Sequence, residues 1–380
     1  MTRFLYTAAV VRGPRRHGAR ATRRALRYSL SPRVLASLAG ALIVAAALLI
    51  SNSFADGDHP TRAKDRLALP ESTLASPPAA RGSDRSGGRG GPVRPPKSGV
   101  YFGAWTSPNT GYTLRQREQQ IGRKYDIAHN YHDWNDAFPD AQDRSWAKGG
   151  RILYLDWTPR IFGTSKVISW SRIARGLEDR AIDAAAARVR RFRRPLLLSF
   201  SQEPEAAINA HLGTVRGFAA SFRHIHDRFR ADRVRNVSWV WSVMGSRDYF
   251  GYYTHGLYPG DRYVDWIAWD PYNWYTCHDT KWESFAETVS VFYKWLTQHG
   301  RSRKPFMLSE WGSRESNVDS NAKGQWFLDA RNTLKSGMYP NLKALVYFDS
   351  NPPECQWAVD SSSASLNGYL AMASDPFFNP

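Results

Sequence analysis

Two glutamates close apolar runs in a pattern that suits acid–base chemistry on a polar substrate. Arg194-Pro-Leu-Leu-Leu-Ser-Phe-Ser-Gln-Glu-Pro-Glu205 reads as a buried strand that stops at Gln202-Glu203-Pro204. Lys304-Pro-Phe-Met-Leu-Ser-Glu-Trp-Gly312 reads as another, with Glu310 in the matching place. A third stretch, Arg262 to Trp274 (RYVDWIAWDPYNW), has the near-continuous apolar character of a strand covered on both faces. It breaks into an aromatic loop at Pro271, which has no backbone donor to continue a ladder. A lone glutamate at a strand end is ordinarily a solvated loop residue or the partner of an arginine. Two carboxylates facing each other, with Tyr272 between them, could approach one another over a bound sugar. At a separation of about 5–5.5 Å one serves as acid/base and the other as nucleophile. Like charges held together also push one pKa up, as a general acid requires.

The elements that must hold these residues begin near Ser98, where strand and helix patterns alternate. Candidate strands are Val100–Thr106, Tyr125–Tyr131, Arg151–Trp157, Pro195–Ser201, Val237–Val243, Val264–Trp269, Pro305–Ser309 and Lys343–Phe348. Helical patterns lie between them, among others at Ser171–Arg193, Val215–Arg230, Trp282–His299 and Asn321–Ser336. Eight strands with helical crossovers in residues 98–380 predict a (β/α)8 TIM barrel, a fold that takes about 250 residues. A doubly wound sheet is the competing fold, but no glycine-rich phosphate loop follows the first strand. In a barrel, Glu203 ends the fourth strand and Glu310 the seventh. These strands face each other across the carboxyl-terminal mouth, where such barrels keep their active sites.

Charge is divided along the chain. The formal net charge is +18, of which residues 1–97 carry +12 and residues 98–380 only +6. The high pI therefore does not mark a nucleic-acid-binding domain. Residues 1–33 hold nine Arg and no acidic residue, and form a basic segment expected to stay in the cytoplasm. Residues 34–50 (VLASLAGALIVAAALLI) are an uncharged run of a length between a signal-peptide core and a short membrane span. Residues 51–97, rich in Pro, Gly, Ser and Arg, have too few apolar side chains to bury and are expected to be a disordered linker. The expected location is extracytoplasmic, with the chain either anchored by the 34–50 segment in the membrane or secreted after its cleavage.

Cys277 and Cys355 are the two cysteines, and no Cys/His cluster with zinc spacing exists. Each follows a predicted strand on the same face of the fold. An exported domain would join them in a disulfide, and otherwise they are two thiols. All fifteen Trp lie after residue 100, many for this length; tryptophan in excess of core needs often stacks on sugars, although some simply fills the barrel. Trp274 and Trp311 follow the sixth and seventh strand motifs and Trp134 the second, so these three are candidate cleft walls. Gln202 is a candidate for holding a sugar hydroxyl through its amide. Tyr131, His129 and His132 lie by the second strand, and His255 sits in a loop that could form a wall.

The segments YFGAW (101–105), SWVWS (238–242), YPGDRYVDWIAWDPYNW (258–274), MLSEWGS (307–313) and VYFDS (346–350) resemble the family 26 glycoside hydrolases. WAVDSSSASLNGYLAMASDPFF (357–378) is similar to that family's closing segment, so the resemblance covers roughly residues 98–380. It implies a retaining barrel enzyme with Glu203 as acid/base, Glu310 as nucleophile and Tyr272 orienting the nucleophile. The implied substrate is a β-linked polysaccharide, β-mannan first, with mixed-linkage β-glucan or β-1,3-xylan as alternatives. No cofactor, metal or nucleic acid is implied, and the protein is expected to be a monomer. Gln202 departs from the family, which has His before the acid/base, and Val243-Met244 replaces a common Pro-Asn pair. A glycan-binding barrel without catalysis is the competing function.

Overall fold

A computed structural model describes residues 91–278, 280–352 and 355–380. Its eight parallel strands are β1 (Tyr101–Thr106), β2 (Ile127–His132), β3 (Ile152–Trp157), β4 (Leu196–Phe200), β5 (Val237–Val243), β6 (Trp266–Trp269), β7 (Phe306–Leu308) and β8 (Leu342–Asp349). Each pairs with its neighbours in the chain, and β8 returns to β1 with Phe348 opposite Trp105, which closes the barrel. The eight expected strands are all present, displaced at their ends by two residues at most.

Between them run α1 (Gly111–Gln120), α2 (Ala141–Lys148), α3 (Trp170–Ala174), α4 (Asp179–Phe192), α5 (Pro204–Asn209), α6 (Val215–Ala231), α7 (Phe285–Gln298) and α8 (Ala322–Lys335), and α9 (Ser363–Ala373) follows β8. Helical spacing sets what each buries. In α4, Ile182, Ala185, Ala186 and Val189 form one stripe against the barrel. In α7, Phe285, Val289, Phe292 and Leu296 do the same, behind a capping box of Ser284 and Glu287. The single helix expected over Ser171–Arg193 is two helices. The break contains Gly176 at φ +77°, a left-handed turn that glycine adopts at little cost and that helical periodicity does not reveal.

Alternation along the strands sends every second side chain inward. Ile127, Tyr154, Leu197, Val240, Trp266, Met307, Ala344 and Val346 make an apolar layer inside the barrel. Val93 packs into that layer from the strands' amino-terminal end. Its amide donates to Ser238 Oγ at 2.8 Å and its carbonyl accepts from Trp266 Nε1 at 3.3 Å. The linker expected to run disordered to residue 97 therefore ends earlier, because residues 91–97 are part of the folded body. One valine with its backbone groups satisfied suffices as a plug, and a single apolar residue among prolines and glycines carries no periodic signal.

The basic segment, the 34–50 apolar run and linker residues 51–90 lie outside the described residues. No helix among the described residues is long and apolar enough to cross a membrane.

Candidate active site

Above the apolar layer the barrel interior turns polar and then aromatic. His129 on β2 hydrogen-bonds Asp156 on β3, Nε2 to Oδ2, at 2.7 Å, and Tyr154 Oη donates to the other oxygen of Asp156 at 3.2 Å. Across the barrel, Ser309 Oγ donates to Asp270 Oδ1 at 2.6 Å and meets Ser242 Oγ at 2.9 Å. At the mouth, Trp105, Tyr131, Tyr272, Phe348, Cys355 and Trp357 form an apolar ring with Phe162, Trp274 and Cys277 against it.

Glu310 lies in this ring with 2% of its surface exposed. The chain bends at Ser309–Glu310, where β7 ends, so both residues point inward. Tyr131 donates its hydroxyl to Oε1, and Tyr272 donates to Oε2 at 2.6 Å. Burial alone drives the carboxyl upward. The two tyrosine hydrogen bonds and nearby His129 oppose this, leaving a pKa raised from the ordinary glutamate value.

Glu203 follows β4 and caps the short helix α5, with Pro204 at that helix's first position. Its backbone is left-handed at φ +47°, and Ser201 two residues earlier is at φ +51°. Such conformations cost a non-glycine residue about 1–3 kcal/mol and gather at functional sites. The Glu203 amide donates to the Ser242 carbonyl of β5 at 3.3 Å, which fixes where the side chain emerges. Unlike Glu310, Glu203 keeps part of its surface open to solvent and receives no side-chain hydrogen bond at its cap. Enclosure by the barrel wall, followed by the charges of Glu310, Glu205 and Asp156, holds its pKa well above the usual carboxylate range. Asp270 is likewise pushed up by burial and then by Glu310 and Glu203. The two glutamates are thus electrostatically linked and differently solvated. One is gripped by donors and suited to remain a carboxylate, while the other favours its protonated form.

The remaining expected site residues divide. Gln202 is half-buried and accepts from Thr158 Oγ1 at 3.1 Å, which leaves its amide nitrogen as the donating end. Trp274 is half-buried at the mouth, with its ring centroid 5.0 Å from that of Tyr272 and 5.1 Å from that of Trp357. Trp311 is not a cleft residue. It is fully buried among Phe285, Trp326, Phe327 and Tyr347, because the residue after an inward Glu310 must turn outward towards the helices. Trp134 does not line the cleft either. It stacks on Trp157 at 4.4 Å and 5° and is 5% exposed, so it belongs to the packed layer outside the barrel.

Cys277 and Cys355 are joined in a disulfide, with Cα atoms 5.8 Å apart, that ties the loop after β6 to the loop after β8 beside Trp274 and Trp357. His132 points out of the barrel to Asp143 at 2.9 Å, and His255 is exposed and bound to the Gly251 carbonyl. His132, Asp140 and Asp143 are close enough to share a cation, but their hydrogen bonds are those of a helix cap. Asp140 and Asp143 form the capping box of α2, and Asn130 and His132 complete it.

Sequence reasoning passed over Trp105, Phe348, Trp357, Asp156, Asp270 and Glu205. For four of these the signal was available. Trp105, Asp156, Asp270 and Phe348 lie an even number of residues from the inward apolar positions on their strands. Trp357 lies in a loop and Glu205 in the first turn of the short helix α5, too few residues for a period to show.

Comparison with known proteins adds the family. The model of glycosyl hydrolase family 26 matches residues 213–338, a span that includes Tyr272 and Glu310 and stops short of Glu203. Endoglucanase H of Acetivibrio thermocellus is 30% identical over 290 residues, covering 72% of this chain and 30% of that protein. A β-1,3-xylanase of a Vibrio species is 26% identical over 151 residues, covering 40% of this chain and 30% of that protein. The chain therefore spans about a third or less of the length of these relatives. Among solved structures, an endo-β-1,4-mannanase of Cellulomonas fimi aligns at TM-score 0.53 and 16% identity, over 73% of this chain and 71% of that one. A β-mannanase of Bacteroides ovatus aligns at TM-score 0.52 and 16% identity, over 74% and 90%. At such identity these structures speak for the barrel alone, while the family match runs through the strand that carries Glu310. Residues 213–338 of the chain carry the match to glycosyl hydrolase family 26.

Proposed function

We propose that this protein cleaves a β-linked polysaccharide with net retention, using Glu203 as acid/base and Glu310 as nucleophile. The observation that carries the reading is the unequal treatment of the two carboxyls. Glu310 has a hydroxyl donor on each oxygen, and Glu203 is solvent-reachable, has no such donor among the described residues, and is surrounded by other carboxyls. In the first step Glu203 gives its proton to the glycosidic oxygen as Glu310 attacks the anomeric carbon from the opposite face. The leaving sugar departs as an alcohol, and a glycosyl-enzyme ester remains. Glu203, now a carboxylate, takes a proton from water, whose oxygen displaces Glu310 and restores the original anomer. The aromatic ring at the mouth excludes water around the forming oxocarbenium charge and offers faces to pyranose rings. Gln202 and Trp274 are assigned to substrate contact.

The substrate is assigned as β-mannan, cut internally, on the resemblance of the sequence motifs and the barrel shared with the mannanases. Mixed-linkage β-glucan and β-1,3-xylan are the two competitors on the same resemblance, in keeping with an endoglucanase and a β-1,3-xylanase among the relatives. The protein acts outside the cytoplasm, held by or released from its 34–50 segment, a placement in keeping with the Cys277–Cys355 disulfide. The deciding experiment incubates the full-length chain with each of the three polymers, counts reducing ends, and follows the first-formed anomer by proton NMR. Release of β-anomer from one polymer supports the proposal and names the substrate. Release of α-anomer defeats retention, and binding without release from any polymer favours the glycan-binding alternative.

Tyr272→Phe tests the nucleophile assignment separately. The lost hydroxyl stabilises the Glu310 carboxylate, so its removal raises the Glu310 pKa. The acidic limb of the kcat/KM profile should then move to higher pH by up to about one unit, because Tyr131 still donates. A shift of the basic limb alone would reverse the roles of the two glutamates.

A further inference from the structure

Two residues past Glu203, Glu205 is fully buried at the start of α5, although a surface helix would normally leave a glutamate in water. Its Oε1 accepts from the Met244 amide at 3.0 Å and from the Tyr253 hydroxyl, and that hydroxyl accepts from the Gly245 amide at 3.0 Å. Met244 and Gly245 directly follow β5, whose Ser242 carbonyl receives the Glu203 amide. Glu205 therefore clamps the strained β4–α5 turn to the end of β5, and its Oε2 has no hydrogen-bond partner among the described residues. Leaving a buried carboxyl oxygen unpaired costs stability that an apolar side chain would not. That cost calls for a function.

Resting on the acid/base reading of Glu203, we propose that Glu205 is a positioning residue that holds Glu203 in its left-handed turn and tunes, through its own charge, the proton Glu203 gives up. Burial pushes Glu205 up to about 7, so its charge changes near neutral pH. The other groups facing Glu203 are Glu310 and Tyr272, with Asp156 from β3 and Asp270 after β6. His129 and Tyr131 of β2 face Glu310, and Tyr249 lies next to Tyr253. Of these, Glu310, Asp156 and Asp270 are carboxyls from other strands. Glu205 is the one that shares a turn with Glu203 and so can set both its geometry and its field.

The test is Glu205→Gln in the full-length chain, because glutamine keeps the shape and the acceptor for Met244 and Tyr253 but removes the charge. Carboxyl carbon NMR should show the Glu203 titration moving to lower pH by about one unit. The basic limb of kcat/KM should move with it, while KM and the melting temperature stay near wild type. A Glu203 titration that does not move overturns the proposal, as does a uniform loss of activity at every pH with the limb in place. Should Glu205→Gln fail to fold, Tyr253→Phe serves instead. It withdraws a donor from Glu205, leaves it protonated to higher pH, and should move Glu203 in the same direction by less. A titration that moves in a chain cleaving no β-glycan would uphold the coupling and defeat the glycosidase reading, so the two fail separately.

Discussion

Glu310→Ala is expected to reduce hydrolysis of the polymer substrate by about 10⁴-fold or more, to the limit of detection, with folding intact. The magnitude follows from what is removed. Without the carboxylate no covalent intermediate forms, and the oxocarbenium charge develops beside two tyrosine hydroxyls that have lost their acceptor. Alanine also leaves a space on the face opposite Glu203 into which a small anion fits. Adding sodium azide should therefore restore turnover of an activated aryl β-glycoside and yield a glycosyl azide of inverted, α configuration. A β-glycosyl azide from this variant would show that Glu310 is not the attacking group, and residual polymer hydrolysis above about 1% would show the same.

The barrel was legible because its signal is repeated. Eight apolar runs separated by amphipathic helices constrain one another, and an error at one boundary does not propagate to the rest. The places of Glu203 and Glu310 in the fold were legible for a related reason: each terminates a run whose direction and place in the order were already fixed. Side chains in loops or at strand bends carried no such constraint. Trp311 was misplaced because the bend at Ser309 puts two consecutive residues inward and delays the alternation by one, a change no period-two pattern shows. Trp134 was misplaced because proximity to the second strand says nothing about which side of the barrel a ring packs on, and Trp157 captured it. Val93 escaped notice because its role depends on a hole made by eight other segments. Glu205 was unreadable because its acceptor role is created by the backbone amide of Met244 and a tyrosine 48 residues away. Tertiary satisfaction of a polar group leaves no trace in the local sequence.

Glu203→Ala is expected to show its effect only when the leaving group needs a proton. On the polymer, whose departing oxygen is a poor leaving group, kcat/KM should fall by about 10²–10⁴-fold, the range for removing a positioned general acid. On a dinitrophenyl β-glycoside, which departs as a stable anion, kcat/KM should stay within about tenfold of wild type, because Glu310 and its tyrosine donors are untouched. The second step then becomes limiting, since no base remains to activate water. The glycosyl-enzyme should accumulate, seen as a burst of dinitrophenolate and a lowered KM. Azide needs no base and should speed this step while giving a glycosyl azide of retained, β configuration, the reverse of the Glu310→Ala product. The basic limb of the pH profile should vanish with the carboxyl that produced it, which fits a group held well above the usual glutamate range in the resting site. An equal loss on both substrates with the basic limb preserved would place the acid elsewhere. Asp270 would then be the next carboxyl to test, being buried beside Glu310 and likewise pushed upward.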